Sequence, residues 1–226
     1  MKALIIHIII LVLFSSNIHS QKEGKILLQH YTSGENDSSK GMSININIWY
    51  NNHISIQEIP YIKVLNDSLG TKRSIDVKYY LFIDSKLNRY RYYSSFSDTA
   101  SIIYSSNNNS VFEKYGGWNM YSKSKVEYDK CIILTDSIVN GLKLGRHKYL
   151  NENNGVKSSF ILYFLYYTND TPINYLKYFA DKIGKNIIRM DTFYGDKLTG
   201  IHKISYLSDT LSKYEKRIFQ KWSGNK

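Results

Sequence analysis

The chain has 226 residues, a formal net charge of +11 at neutral pH and a single cysteine, Cys131. One cysteine excludes an intramolecular disulfide, and a chain of this length can bury a hydrophobic core without such a bond. The excess of lysine and arginine favours anionic partners, among which are lipid head groups, acidic glycans and nucleic acids.

Residues 1–20 have the layout of a secretory signal peptide. Lys2 gives a basic start, residues 3–14 are almost all apolar, and small polar residues lead to Ser20. The apolar run is shorter than the roughly 20 residues of a membrane-spanning helix. We predict cleavage after Ser20 and a single β-rich domain over residues 21–226. An N-terminal anchor that stays uncleaved is the alternative.

Export limits both the partners and the location of the protein. Loss of the leader removes one lysine, so the net charge falls from +11 to +10, which suits an anionic membrane surface. Nucleic acid is not the usual partner of an exported protein, so we predict none; a solvated basic surface without a dedicated partner is the alternative. The predicted mature start has no cysteine beside it. We therefore expect a periplasmic or secreted protein that is not a lipoprotein.

Alternation of apolar and polar residues predicts strands in the first part of the chain. Residues 25–31 form a strand candidate, and in residues 44–48 every Ile alternates with an Asn. After Asn51 and Asn52, which favour a turn, residues 53–57 alternate again. The two alternating segments predict a β-hairpin.

Further strands follow along the chain. Residues 75–83 alternate, turn-forming residues come next, and residues 89–92 alternate arginine with tyrosine, which predicts a second hairpin. Asn140 and Gly141 are the preferred pair for a type I′ turn, so they predict a third hairpin. Residues 160–167 are apolar at consecutive positions, which predicts a strand covered on both faces.

Two helices are predicted near the C-terminus. The first begins at Thr171 and Pro172 and ends before Gly184, the residue type that commonly terminates a helix. The second carries a capping box formed by Ser212 and Glu215. Its apolar positions recur at helical spacing and comprise Leu211, Tyr214, Ile218 and Trp222. We predict that this stripe packs on the sheet and that Trp222 is its most buried member.

These elements predict a mainly β (α+β) fold. We expect a curved antiparallel sheet or open half-barrel with one or two helices packed on it, one of them C-terminal. No internal repeat and no linker rich in proline or glycine divides the chain.

Candidate metal ligands lack the spacing of known sites. The predicted mature chain contains four histidines, none with the short spacing to another ligand that zinc sites show. We therefore predict no metal, no cofactor and surface or structural roles for His30, His53, His147 and His202. Cys131 precedes an apolar segment, which predicts a buried, unreactive thiol.

A catalytic site is weakly indicated at residues 94–99, which gather hydroxyl groups and one carboxylate, Asp98. A serine nucleophile needs a base and an oxyanion hole, and this sequence has no GxSxG motif and no histidine near the segment. We interpret the segment as a turn with Asp98 as a capping residue. A hydrolase in which Asp98 meets a distant histidine is the catalytic alternative.

The order of elements resembles that of the exported GLPGLI-type proteins of Bacteroidota. The resemblance lies in the strand–turn–strand segments 43–57 and 79–93, and in residues 135–143, which are similar to the family's Asp-Thr…Gly-x-Lys stretch. Those proteins in turn look like the open β half-barrels of the LolA and LolB lipoprotein carriers. The resemblance implies the half-barrel fold and brings no functional residue with it.

The function predicted from these features is non-catalytic. We expect an exported protein that binds an apolar ligand, a lipid or an acyl chain, on a concave face of the sheet. The predicted ligand contacts are the apolar members of two alternating strands, Ile44, Ile46, Ile48, Tyr79, Leu81 and Ile83. An envelope or surface interaction protein that uses its basic face is the first alternative, and the hydrolase is the second.

Overall fold

The computed structural model describes residues 23–32, 42–67, 70–108, 110–117, 121, 127–153, 156–166, 176–208 and 210–224. The predicted signal peptide lies outside these residues, and so does the predicted helix start at Thr171 and Pro172. The described residues form a single open antiparallel sheet of eleven strands with three short helices. This architecture matches the predicted half-barrel with a C-terminal helix.

The first half of the chain forms strands β1 (Glu23–Thr32), β2 (Met42–Asn51), β3 (Ile54–Asp67), β4 (Gly70–Asp84), β5 (Arg89–Tyr93) and β6 (Ile102–Ser106), followed by helix α1 (Val111–Tyr115). The second half forms β7 (Lys130–Val139), β8 (Leu142–Asn153), β9 (Val156–Leu165), α2 (Lys177–Ile183), β10 (Ile187–Tyr194), β11 (Lys197–Ser208) and α3 (Lys213–Ser223).

The strand order across the sheet is β6-β5-β4-β3-β2-β1-β11-β10-β9-β8-β7. The first described strand, β1, lies at the centre of the sheet, and the strands that follow it run outward to the edge at β6. The connection that contains α1 then crosses to the opposite edge at β7, and the later strands return to pair β11 with β1. This topology brings residues from opposite ends of the chain together at the centre of the sheet.

The three predicted hairpins are confirmed. Their turns contain Asn52, Asn88 and Asn140 at positive φ, a conformation that asparagine tolerates better than most residues. Asn140 (φ 51°) and Gly141 (φ 76°) both lie in the left-handed region, as a type I′ turn requires. Other consecutive strands also pair antiparallel without having been predicted as hairpins, among them β10 and β11, which Gly195 joins at φ 58°.

Pairing and alternation divide the side chains between two faces of the sheet. We call the face that carries Ile26 and Ile48, which pair across β1 and β2, the inner face. Helix α2 packs on this face with Phe179 and Ala180 against the cluster around Ile48. Helix α1 packs on the same face, where its buried Val111 joins residues of β4 and β5.

Helix α3 packs on the opposite, outer face. Ile218, Phe219 and Trp222 join Trp49 and Phe82 in one buried cluster, so the prediction that this helix docks on the sheet is confirmed. The predicted capping box is also present. The Glu215 backbone N–H donates to the Ser212 hydroxyl, and the Ser212 backbone N–H donates to the Glu215 carboxylate.

The predicted order of burial within α3 is wrong in two respects. Ile218 retains 0% exposure and Trp222 retains 1%, so Ile218 is the most buried member of the stripe. Tyr214 is 45% exposed because it lies at the rim of the contact, where its hydroxyl donates to the carbonyl of Phe96 at 2.9 Å.

Two further predictions need correction. Cys131 is exposed, because β7 is an edge strand that pairs only with β8 and has no buried residue. Helix α2 begins at Lys177, since Leu176 before it has a φ of 62° and is left-handed; its predicted end at Gly184 is confirmed.

The prediction that β9 is covered on both faces is also confirmed, because the consecutive residues 162–164 are buried.

Candidate functional site

The six predicted ligand contacts all lie on the inner face. Cross-strand pairing joins Ile48 to Gln57 and Gln57 to Leu81, so the apolar positions of β2 and β4 face the same side. Four of the six have 0–1% exposure, namely Ile46, Ile48, Leu81 and Ile83. They lie in the clusters that α2 and α1 cover, so a ligand reaches them only if a helix moves away. Their role as ligand contacts stays a prediction.

An open cavity of about 760 Å³ lies at the end of the sheet where β8 meets β9 and β10 meets β11. Its wall includes Phe160, Thr192, Tyr194 and Thr199, and the charged Glu127 and Lys197 also line it. Phe160 connects the cavity to the inner core, because its ring lies 5.3 Å from that of Phe179 in α2. The sequence did not identify this cavity, since its lining comes from four strands.

The polar groups of the cavity are mostly hydroxyls. The Thr199 Oγ1 donates to the carbonyl of Thr192 at 3.1 Å, so this hydroxyl already has an acceptor. Phe160 and Thr192 are cross-strand partners and therefore lie side by side on the inner face. The cavity therefore combines three aromatic side chains, Phe160, Phe193 and Tyr194, with hydroxyl, amide and charged groups.

A row of histidines crosses the inner face beside this cavity. His30 of β1 pairs with His202 of β11, and His202 pairs with Met190 of β10. Further along the same row, Met190 pairs with Leu162 of β9, and Leu162 pairs with His147 of β8. The sequence separation of 172 residues between the paired histidines hides this contact from any spacing pattern.

The two paired histidines are in direct contact. The Nδ1 of His30 lies 3.1 Å from both the Nδ1 and the Nε2 of His202, and the ring centroids are 4.1 Å apart. Burial, and then the charge of His30, lowers the pKa of His202 to about 4. Burial also lowers the pKa of His30 and of His147. These shifts favour neutral imidazoles on the inner face at neutral pH.

A buried ion pair occupies the outer face of β10. Asp191 is 4% exposed and accepts hydrogen bonds from the Arg189 guanidinium at 2.6 and 2.8 Å and from the Tyr163 hydroxyl at 3.0 Å. Burial and the Asp191 carboxylate raise the pKa of Tyr163. Because the partners satisfy one another, this cluster is explained by structure alone.

Asp98, the residue of the catalytic alternative, forms an ion pair with Arg217. Its Oδ2 lies 2.9 Å from the Arg217 Nε, which ties residues 94–100 to helix α3. The nearby Ser97 hydroxyl lies 3.0 Å from that of Thr99, as in a turn. These contacts give Asp98 a structural role and supply no base for a serine nucleophile.

Two findings concern the described residues as a set. None of their helices combines the length and the apolar character that crossing a membrane requires. No three His, Cys, Asp or Glu side chains among them cluster as metal ligands.

Comparisons with known proteins give a structural likeness and no match in sequence. No model of a protein family matches the chain, and no curated protein matches it. The crystal structure of LprF from Mycobacterium bovis is similar, with 8% sequence identity, a TM-score of 0.41, and coverage of 86% of this chain and 90% of that chain. The resemblance to GLPGLI-type proteins stays a prediction from the sequence.

Proposed function

We propose that this chain is an exported, non-catalytic protein, periplasmic or secreted and not a lipoprotein, that binds a lipid or acyl chain through its inner face. The observation that supports the proposal is the cavity of about 760 Å³ at the open end of that face. Its size lies within the ~300–1,000 Å³ of typical ligand pockets. An apolar chain that enters there would contact Phe160 and lie beside Phe179 of α2.

Chain length gives the proposal a quantitative expectation. Each methylene group that leaves water contributes about 0.8 kcal/mol, which corresponds to roughly a fourfold gain in affinity. We expect the affinity for fatty acids to rise with each added methylene until the cavity is full, and then to stay constant. A ligand that bound only through its carboxylate would show no such dependence.

Displacement of a fluorescent fatty acid measures this binding. Thr199→Trp fills the cavity, whereas Ser205→Trp places the same side chain on the exposed outer face of the same strand, β11. We expect Thr199→Trp to abolish binding and Ser205→Trp to leave it intact. Absence of binding by the unmodified protein, together with a ligand-free mass for protein purified from its own envelope, would reject the proposal.

A second candidate function is contact with an anionic membrane surface. It is favoured by the tip of the β7–β8 hairpin, where Ile138 is 77% exposed and Leu142 is 55% exposed on either side of the turn. Lys143 follows but forms an ion pair with Asp136 at 3.1 Å, so the attraction to an anionic surface would come from the net charge of the whole chain, which is +11 with residues 1–20 and +10 without them. Exposed apolar side chains on a protein of net positive charge suit the interface of an anionic bilayer.

Cosedimentation with anionic vesicles at low and high salt tests this second function. We expect binding to be strongest at low salt and to fall when Ile138 and Leu142 are replaced by serine. Ile133→Ser is the matched control, because Ile133 is also 77% exposed on β7 but lies away from the turn. Lack of binding at low salt excludes a charge-driven membrane contact, since screening is weakest there.

A further inference from the structure

We propose that the long hairpin of β3 and β4 is an arm through which two copies of this chain associate. The pairing of β2 with β3 ends at Ile48 and Gln57, and β4 pairs with β5 only from Tyr80 onward. Among the described strands, residues 58–67 and 70–79 therefore pair only with each other. An isolated two-stranded ribbon is marginally stable in water, so a partner that covers this arm would stabilise it.

One side of the arm is apolar and continues the outer face of the sheet. Four cross-strand pairs form this side, which we call the arm face; in order from the sheet to the tip they are Glu58–Tyr80, Pro60–Val77, Ile62–Ile75 and Val64–Arg73. Ile62, Val64 and Ile75 are 44%, 52% and 39% exposed. Among the described residues, the cluster under α3 reaches Tyr80 and no position further out on the arm. The described part of the chain thus leaves three β-branched side chains of the arm face in contact with water.

The opposite side of the arm is mostly polar. Tyr61 pairs there with Asp76, and Lys63 pairs with Ser74. All four of these residues are exposed. The apolar positions of the arm are therefore gathered on one side, as in a strand pair that packs on one face and meets water on the other.

The order of the four pairs makes the arm face complementary to itself. A two-fold axis between the second and third pairs, perpendicular to the strands, places these two apolar pairs over one another in the two copies. The same axis places the fourth pair of one copy over the first pair of the other. Arg73 then meets the Tyr80 ring and the Glu58 carboxylate of the second copy, so a cation–π contact and an ion pair form twice. This charge complementarity favours a second copy of the chain as the occupant.

Hydrogen bonds to β2 hold the Glu58 carboxylate at the base of the arm. Its Oε2 accepts from the backbone N–H and the side-chain amide of Asn47 at 2.7 and 2.8 Å. These contacts fix one end of the arm face as acidic, while Arg73 near the tip makes the other end basic. Antiparallel stacking of two arms brings unlike ends together, whereas parallel stacking would bring like charges together.

The size of the arm face determines the strength of the association. Residues two apart on a strand are separated by roughly 6.8 Å, so the four pairs extend over roughly 20 Å. A face of this length and two strands wide is small beside the roughly 800 Å² that each partner buries in a standard interface. We therefore expect a weak, reversible dimer that forms at micromolar or higher protein concentration.

Sedimentation velocity over a series of protein concentrations tests the dimer. We expect a monomer–dimer equilibrium in the unmodified protein and a dissociation constant at least about tenfold higher in Ile75→Asp. Ser74→Asp is the matched control, because it adds the same charge at the next position on the opposite side of the arm. A monomer at every concentration, or equal dissociation constants for Ile75→Asp and the unmodified protein, would overturn the proposal. Loss of binding to vesicles in Ile75→Asp, with self-association unchanged, would assign the arm face to a lipid surface instead.

Exchange of the two charges tests the arrangement of the copies. Arg73→Glu and Glu58→Lys should each weaken self-association, because both contacts across the two-fold axis then join like charges. An equimolar mixture of the two variants should associate about as strongly as the unmodified protein, since each contact then joins a carboxylate to a cation. A mixture that associates no better than its separate components contradicts the two-fold arrangement and rejects the proposal.

Hydrogen exchange of the unmodified protein protects the test against variants that fail to fold. Amides of a marginally stable ribbon exchange through local opening, which a covering partner suppresses. We expect slower exchange in residues 58–64 and 73–79 at high protein concentration than at low concentration, with exchange in the central strand β1 unchanged. Unchanged exchange in the arm, at concentrations where sedimentation detects dimers, would place the interface elsewhere and reject the arm as its site.

Discussion

Truncation of Trp222 tests how helix α3 is held on the outer face. The indole ring stacks on Tyr93 at 3.7 Å between centroids with 3° between the planes, and it meets Phe82 and Phe96 edge-on at 6.4 and 6.1 Å. Its Nε1 donates to the carbonyl of Ser97 at 3.1 Å, and the residue is 1% exposed. Truncation of a core tryptophan costs about 3–5 kcal/mol, a large share of the ~5–15 kcal/mol that stabilises a typical domain.

Thermal denaturation followed by circular dichroism measures the effect. For a chain of this size each kcal/mol lowers the melting temperature by about 2–4 °C, so we expect Trp222→Ala to melt roughly 6–20 °C below the unmodified protein. Lys221→Ala is the control, since Lys221 is the exposed neighbour on the same helix. Identical melting temperatures for the two variants would refute the packing argument and make the apolar face of α3 available for membrane contact.

Three further predictions concern single positions. Gly145→Ala should lower stability by about 1–3 kcal/mol in urea denaturation, because the added Cβ would lie 2.3 Å from the Phe164 ring; unchanged stability would mean that the ring moves freely. The pKa of His202 is about 4 in the folded chain against 6.5 without the fold, so the unfolded state binds more protons below pH 6.5. Stability should therefore be full above that pH and fall as the pH drops towards 4, and His202→Phe should weaken this fall between about pH 6.5 and about pH 4; an identical slope in both proteins contradicts the assignment. Ser212→Ala should cost about 1 kcal/mol by removing the capping box, whereas Ser212→Thr should retain most of it.

Local features of the sequence were sufficient to predict most of the secondary structure. The alternation of Ile and Asn in residues 44–48 predicted β2, and the Asn140-Gly141 pair predicted the turn between β7 and β8. The capping box predicted the start of α3 at the correct residue. These predictions succeed because each depends on neighbouring residues, whose backbone conformations and hydrogen bonds are determined within a few positions.

Other properties depended on long-range pairing, and only the tertiary structure decided them. Cys131 is exposed because β7 lies at an edge of the sheet, a position that the strand order determines and the local sequence does not. His30 meets His202 because the last strand pairs with the first, 172 residues away. A shift of one residue in the β1–β11 register would turn these two side chains to opposite faces, so their contact exists only in the folded sheet.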